Sequence, residues 1–437
     1  MTDTRRHPRP GGARTGSAVI TAVVGALLVT GCGRLPGIGG GSPEPVTVMT
    51  FAPENTDATN MPGMPAMAKA YERWANATGG IDGHRLRVIT CNEGNTPAGA
   101  SECARRAVDE GVDAVVGSYS QHGGAFMAPL EAAAIPFIGG YGLAEEEFTS
   151  YVSYPVNGGQ AALLAGQGLQ LAEACREVAI VRPDSAAGDR LPRLLGAGLA
   201  HGDHDAPADV LAPDNASDYT REARKARAAV GAETRTGIGT RAGNGDRPGC
   251  VTAALGERTE TFVDSYRRLP DDGREIRFSS VTGSVGQSLI NRTGGRDGPY
   301  EGAFVTGWYP GSDDSRWNLM KEVVGEHAFG DNRIDPTDSG VQTTWIAFSV
   351  LNSAIRAVDS DEITSRKLIR ALDGGLAVST GGLTPTLRWK YGDQEGIPGY
   401  PRAVNSSVTF HVVRDGRLTS QQRASARVSE VLAYTPR

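Results

Sequence analysis

Two successive runs of alternating short apolar strands and longer helices constrain the fold of this chain most strongly. The first run begins at Val46 and ends near Tyr154, and the second continues from there to Thr306. Alternation of this kind is typical of parallel sheets that carry helices on both faces. Because each run is too large to be one half of a single sheet, the sequence predicts an α/β protein with two lobes.

The boundaries of the elements follow from the spacing of apolar residues and from turn residues between them. The predicted strands are 46–51, 85–90, 114–117, 137–139, 178–182, a short one near Val210, 251–255, 276–279, 302–306 and 408–413. The predicted helices are 63–78, 97–110, 123–134, 159–174, 189–200, 219–230, 259–269, 317–329, 339–358 and 365–372. The glycine-rich stretch 231–249 reads as a surface loop or insertion.

The amino terminus has the pattern of an export signal. Four arginines lie within the first 14 residues, and a short apolar run covers residues 18–29. This run is too short for a bilayer span, which needs about 20 residues. We therefore assign residues 1–31 to a cleaved signal peptide, and the glycine- and proline-rich residues 32–45 to a flexible tether.

The segment Leu28-Val29-Thr30-Gly31-Cys32 resembles the lipobox of bacterial lipoproteins. The resemblance implies that the Cys32 thiol is lipidated and becomes the first residue of the mature protein. The alternative is an ordinary signal peptide that happens to contain a cysteine. With lipidation, the expected location is the extracytoplasmic face of the cell membrane.

The remaining four cysteines form an even set, which suits disulfides in an oxidising compartment. Of the three possible pairings, proximity in the chain favours Cys91 with Cys103 and Cys175 with Cys250. The second bridge would join two strands that we expect to lie side by side. Four buried free thiols are the alternative, and metal binding has no support from a C-x-x-C spacing.

Composition and motifs argue against several other functions. The net charge is −6, and we find no basic run with interleaved aromatic residues, so we expect no nucleic-acid partner. No G-x-S-x-G nucleophile motif occurs, and the first strand is not followed by G-x-G-x-x-G. The segment 201–205 contains two histidines and two aspartates but reads as a solvated loop. We predict a protein that is not an enzyme and needs no metal or cofactor.

The segment 75–84 contains an N-x-x-G-G-I-x-G turn between a helix and a strand, and it resembles the Leu/Ile/Val-binding proteins, the type 1 periplasmic-binding family of ABC importers. Gly79 and Gly80 suit the left-handed conformation that ends a helix. The resemblance continues through Cys91, 115–118, 134–138 and 301–305. It covers essentially residues 46–437.

The resemblance implies a receptor that binds its solute between two lobes, with three crossovers of the chain. We place the crossovers near Tyr154, Trp308 and Gly399. The expected first lobe comprises residues 46–155 and 309–398, and the second comprises 156–308 and 399–437. The solute would lie at the carboxyl ends of the strands, where open α/β sheets bind ligands, and the lobes would close around it.

The candidate ligand residues of the first lobe lie in two loops that follow strands. One loop has free backbone N–H groups before a helix, suited to a ligand acceptor; the alternative is that Ser120 only caps the helix. In the other loop Tyr141 replaces the small hydroxyl residue that the family pattern has, which argues against an α-amino acid ligand. The candidates are Ser118, Tyr119, Ser120, Gln121, Gly140, Tyr141 and Gly142.

The second lobe offers matching loops. Asp184 or Glu257 could neutralise a cationic ligand group, or either could be a solvated loop charge. Ala187 stands where amino-acid binders carry an aromatic residue, and Thr282 lies in a third loop. Trp308 could line the cleft or pack the hinge.

Together these features predict a membrane-anchored lipoprotein that captures a small polar metabolite, such as an amino acid or a related compound. The expected partners are the solute, an ABC transporter permease and the membrane, and we expect a monomer. A membrane-tethered sensor of the same fold, signalling to a kinase, would share all these features and is the alternative.

Overall fold

The protein is represented by a computed structural model that describes residues 43–56, 59–185, 188–213, 216–231, 247–256, 258–273 and 275–433, without the side chains of 422–424. The predicted signal peptide, the lipidation site Cys32, most of the tether and residues 232–246 of the predicted loop lie outside these ranges. None of the helices in the described ranges has the length and hydrophobicity that a membrane span requires.

The first sheet is parallel and has the strand order β2-β1-β3-β4-β5. Its strands are β1 (Val46–Ala52), β2 (Leu86–Asn92), β3 (Ala114–Val116), β4 (Phe137–Ile138) and β5 (Ser153–Tyr154). The helices of this part of the chain are α1 (Gly63–Ala77), α2 (Pro97–Asp109), α3 (Gly123–Ala133) and α4 (Glu146–Thr149).

The second sheet is mixed, with the order β12-β11-β10-β9-β8-β6-β7. Its strands are β6 (Val178–Pro183), β7 (Ala208–Ala212), β8 (Gly249–Ala253), β9 (Ile276–Val281), β10 (Phe304–Gly307), β11 (Ser407–Arg414) and β12 (Arg417–Arg427). Only β11 and β12 pair antiparallel to their neighbours in the described sheet. Its helices are α5 (Gly159–Ala174), α6 (Leu191–His201), α7 (Thr220–Val230), α8 (Arg258–Arg267) and α9 (Gln287–Arg292).

The last third of the chain returns to the first sheet before it joins the second. Its helices are α10 (Asn318–His327), α11 (Ser339–Val358), α12 (Ser365–Asp373) and α13 (Ser429–Ala433). Residues Ile346 and Ala347 of α11 share a core with Val116 and Ile138 of the first sheet. The chain therefore passes between the sheets three times, which confirms the predicted two-lobed α/β fold.

Local chemistry explains where several helices begin and end. Asp338 caps α11 by accepting hydrogen bonds from the N–H groups of Gly340 and Val341, both 2.9 Å long. Gly80, after α1, has a φ of +85°, and a Cβ atom there would lie 2.3 Å from the carbonyl oxygen of His84. A residue with a side chain would therefore disrupt this turn.

Both predicted disulfides form in the structure. Cys91 of β2 is bonded to Cys103 of α2, and Cys175 is bonded to Cys250 of β8. Strands β6 and β8 are parallel neighbours, so the second bridge links the entrances of two adjacent strands as predicted. The sequence did not reveal β5, β12 or the short helices α4, α9 and α13.

Candidate functional site

The loops that follow β3 and β4 lie side by side at the carboxyl edge of the first sheet. Val116 pairs with Ile138, and beyond this pair the N–H of Tyr141 donates to the carbonyl oxygen of Ser118 over 2.9 Å. Parallel strands present their carboxyl ends at one edge, where α/β proteins generally bind ligands. The two predicted first-lobe loops are thus neighbours in space.

A cavity of about 420 Å³ opens beside these loops. Its first wall consists of the first residue of α2, the start of α3 with the two residues before it, and the segment from the β4 loop into α4. Its second wall consists of α5, the start of α6 and a tyrosine of the third crossover. The lining residues are Pro97, Gln121, His122, Gly123, Gly124, Ala125, Gly142, Leu143, Ala144, Glu145, Glu146 and Phe148 on the first wall, and Gln160, Ala161, Arg190, Leu194 and Tyr400 on the second.

The two walls are joined by an ion pair. Arg190, just before α6, pairs with Glu145 on the opposite wall, and both side chains are partly exposed. The Arg190 guanidinium also donates to the Tyr400 hydroxyl over 3.1 Å. Because α6 packs against the second sheet and Glu145 follows the first, this contact connects the two lobes across the cavity.

The two predicted serine ligands have partners inside the protein. The Ser118 hydroxyl oxygen accepts the N–H of Phe51 over 3.0 Å, and the residue is fully buried. The Ser120 hydroxyl donates to the Glu93 carboxylate over 3.0 Å and accepts the N–H of His122 over 3.1 Å. The predicted Gln121 is exposed and lines the cavity.

A cluster of aromatic side chains lies just after the ends of β3, β4 and β10. The rings of Tyr119 and Tyr141 are 5.1 Å apart, and Trp308 meets Tyr141 edge to face at 5.1 Å. The Trp308 indole N–H donates to the carbonyl oxygen of Gly159 over 3.0 Å. Trp308 is 3% exposed and packs where the chain crosses between the lobes, and it is not among the cavity-lining residues.

Tyr141 reaches the second lobe. A Cβ atom added to Gly283 of the second lobe would lie 2.2 Å from its phenolic oxygen. The same hydroxyl is hydrogen-bonded over 2.9 Å to the Ser339 hydroxyl, at the start of α11 in the first lobe. Gly283 follows Thr282 in the loop after β9. The Thr282 hydroxyl oxygen is buried and has no hydrogen-bond partner among the described residues.

Glu147 holds the loop after β4 in place. Its carboxylate accepts the backbone N–H groups of Gly142, Leu143 and Ala144 over 2.9, 3.0 and 3.0 Å. The side chain is buried, and removal from water raises its pKa to about 7 although these hydrogen bonds act in the opposite direction. The predicted Gly140 lies against it, since a Cβ atom there would be 2.0 Å from a Glu147 carboxylate oxygen.

Of the remaining predicted residues of the second lobe, Asp184 is described and does not line the cavity. Asp184 is exposed, and its backbone N–H donates to Ala212 over 2.9 Å. Ala187 and Glu257 lie outside the described residues. Within the described ranges, no three His, Cys, Asp or Glu side chains are grouped so that they could hold a metal ion.

Sequence reasoning identified Gln121 and Gly142 of the cavity but missed its charged residues. Glu145, Glu146 and Arg190 were not proposed as site residues. A signal was present, because three consecutive glutamates follow the glycine-rich loop after β4 at 145–147. The pairing of Glu145 with Arg190 depends on tertiary structure that local patterns do not contain.

Comparison with known proteins gives consistent results. A family model described as periplasmic binding protein matches residues 56–396. No curated protein sequence matches the chain significantly.

Solved structures share the fold at low sequence identity. A substrate-binding periplasmic protein from Ralstonia solanacearum has a TM-score of 0.67 and 17% identity, over 86% of this chain and 100% of that one. A fatty acid ABC transporter substrate-binding protein from Thermomonospora curvata has a TM-score of 0.68 and 12% identity, over 90% and 95%. A branched-chain amino acid ABC transporter protein from Thermus thermophilus with bound valine has a TM-score of 0.66 and 15% identity, over 88% and 97%.

Proposed function

Because the chain belongs to the periplasmic binding protein family, we propose that it captures a small polar metabolite between its lobes and delivers it to an ABC importer. The protein would be exported and held at the extracytoplasmic face of the membrane by a lipid on Cys32. The lobes would comprise 46–155 with 309–398, and 156–308 with 399–437. The protein would act as a monomer and would not transform its ligand.

The observation that carries this proposal is the cavity between elements of the two lobes. Its volume of about 420 Å³ falls within the roughly 300–1,000 Å³ of pockets for small molecules. Its lining mixes polar groups such as Gln121 and Gln160 with apolar ones such as Phe148 and Leu194. A small ligand with one polar end and a short apolar part suits this surface.

Contacts between the lobes supply a mechanism for capture. Glu145 pairs with Arg190 beside the cavity, and Ser288 of α9 is hydrogen-bonded to Asp335 at a separate point. A ligand that touches both walls stabilises the closed arrangement, because only there does it make all its contacts. The closed form is then the one that a permease would recognise.

The structures with the same fold are named for different ligands. One is described as a fatty acid ABC transporter substrate-binding protein, and another contains bound valine. In this chain the buried Tyr141 precedes the cavity-lining Gly142, and its hydroxyl is hydrogen-bonded to Ser339. Its phenol takes space that a small hydroxyl residue would leave open to an α-amino acid. We therefore place the ligand among small polar metabolites related to amino acids.

A thermal-shift screen of the purified full chain against amino acids, amines, amides and aromatic acids tests the proposal. A ligand at 100 times its Kd stabilises the folded state by about 2.7 kcal/mol and raises the Tm. The half-buried Leu194 lines the cavity, whereas Leu211 is 43% exposed on β7. We expect the shift to be lost in Leu194→Trp, which places an indole in the cavity, and kept in Leu211→Trp.

Two outcomes would contradict the proposal. One is a ligand-induced shift of equal size in both tryptophan variants, because it would place the ligand outside the cavity. The other is chemical conversion of a screened compound by the purified protein, because a receptor returns its ligand unchanged.

A further inference from the structure

The first wall of the cavity contains two places where backbone N–H groups could hold a ligand anion. One is the start of α3, an 11-residue helix whose amino-terminal end carries partial positive charge. The other is the loop after β4, where three successive N–H groups point to one spot. In this chain Glu147 accepts the N–H groups of the second place, and Glu146 lies against the glycines that begin the first.

Glu147 occupies the loop after β4. Its two carboxylate oxygens accept the N–H groups of Gly142, Leu143 and Ala144. The side chain is 2% exposed, so the bonded oxygens are shielded from competing anions. A ligand carboxylate could reach these N–H groups only by displacing a buried side chain.

Glu146 lies against the two glycines that begin α3. A Cβ atom on Gly123 would lie 2.0 Å from one of its carboxylate oxygens, and a Cβ atom on Gly124 would lie 3.3 Å from the other. Only glycine therefore permits the carboxylate to approach the helix so closely. Glu146 lines the cavity, is half-buried, and forms no ion pair within the described residues.

The other charges near this wall do not neutralise Glu146. Arg190 lies on the opposite wall and pairs with Glu145. Glu93, buried behind Ser120, adds a further carboxyl group on the same side. A ligand anion at this wall would meet the Glu146 carboxylate and N–H groups that are already bonded to Glu147, whereas a cation would meet an acceptor without a counter-ion.

From this geometry, and resting on the function proposed above, we propose that Glu146 and Glu147 are specificity-determining residues. They exclude ligands that present a carboxylate to the first wall and select ligands that present an ammonium or amidinium group. The cation of the ligand binds the Glu146 carboxylate, and its carbon chain packs against Phe148 and Leu194. The ligand class is therefore a small aliphatic amine or guanidine.

The test is calorimetric titration of the full chain with matched probes. Each carbon skeleton is supplied as an amine, an amide and a carboxylate, for example n-butylamine, butyramide and butyrate. The variants are Glu146→Gln and Glu147→Gln, with Glu102→Gln as a control for the same change of charge, since Glu102 is exposed on α2. Glu146 is only half-buried, so we expect Glu146→Gln to fold. The test therefore does not depend on whether Glu147→Gln folds.

We expect amines to bind the unmodified protein at least about tenfold more tightly than the matched carboxylates. Removal of the Glu146 charge weakens amine binding about tenfold or more, as loss of a hydrogen bond to a charged group does, while Glu102→Gln leaves it unchanged. Glu147→Gln reduces the difference in affinity between the amine and the matched carboxylate.

The assigned ligand class would be overturned if carboxylates bound with the same affinity as the matched amines. If Leu194→Trp abolished that carboxylate binding, the receptor function would stay intact. Equal amine affinity in Glu146→Gln and the unmodified protein would overturn the assigned ligand class as well. Failure of all three probe classes to bind, or binding that Leu194→Trp leaves unchanged, would overturn the proposed function and the assignment together.

Discussion

The buried carboxyl group of Glu147 makes the stability of the protein depend on pH. The side chain is 2% exposed and accepts hydrogen bonds from the N–H groups of Gly142, Leu143 and Ala144. Loss of hydration outweighs these bonds and raises its pKa from the ordinary value of 4.5 to about 7. The perturbation that tests this is Glu147→Gln, which removes the titration and keeps the size of the side chain.

The sign follows from linkage between protonation and folding. Between pH 4.5 and 7 the folded protein retains a proton on Glu147 that the unfolded chain releases. The contribution of Glu147 to stability is therefore fully present below pH 4.5 and is lost as the pH rises through 7. From pH 5 to pH 8 this group alone lowers the free energy of unfolding by roughly 2–3 kcal/mol.

Urea denaturation at pH 5, 6.5 and 8, on the unmodified protein and on Glu147→Gln, measures this contribution. Asp113 also has a pKa raised by burial, to about 6, but it titrates in both proteins and cancels in the comparison. We expect the two curves of stability against pH to diverge by roughly 2–3 kcal/mol over this range. Parallel curves would refute the reasoning, whatever the offset between them.

Two further changes have expected effects that denaturation can measure. The bridge between Cys175 and Cys250 spans 75 residues. Replacing both cysteines by alanine should lower the free energy of unfolding by about 4.5 kcal/mol, because the unfolded chain loses the constraint of the closed loop. A loss below about 1 kcal/mol would contradict this chain-entropy estimate. Gly283→Ala should destabilise the protein by about 1 kcal/mol or more, because φ is +100° and the new Cβ would meet the Tyr141 hydroxyl at 2.2 Å. Gly286→Ala is the control, since no atom lies within 4 Å of its Cβ. Equal losses of unfolding free energy in the two variants would count against the contact with Tyr141.

Most of the fold could be predicted from local patterns. The helices α5 and α11 have the predicted bounds, because each is a long apolar run that begins after a marked residue, Gly158 for α5 and the capping Asp338 for α11. Strand β5 is only two residues long and shows no periodicity. Strand β12 is largely polar, and its place at the edge of the sheet depends on pairing with β11.

The candidate site was harder to predict than the fold. Position after a strand indicated the loops that contain Gln121 and Gly142, and both residues line the cavity. The same rule could not show that Ser118 and Ser120 bond inside the protein. It also could not show the pairing of Glu145 with Arg190, because that contact forms only when two distant parts of the chain meet.

The central claim is that a solute is held between the segment after β4 and the start of α6. Hydrogen–deuterium exchange, with and without a binder from the thermal-shift screen, tests it most directly. We predict slower exchange in the ligand complex at residues 142–146 and at 190–194, which lie on opposite walls of the cavity. Protection confined to one wall, or to residues remote from both, would contradict the account.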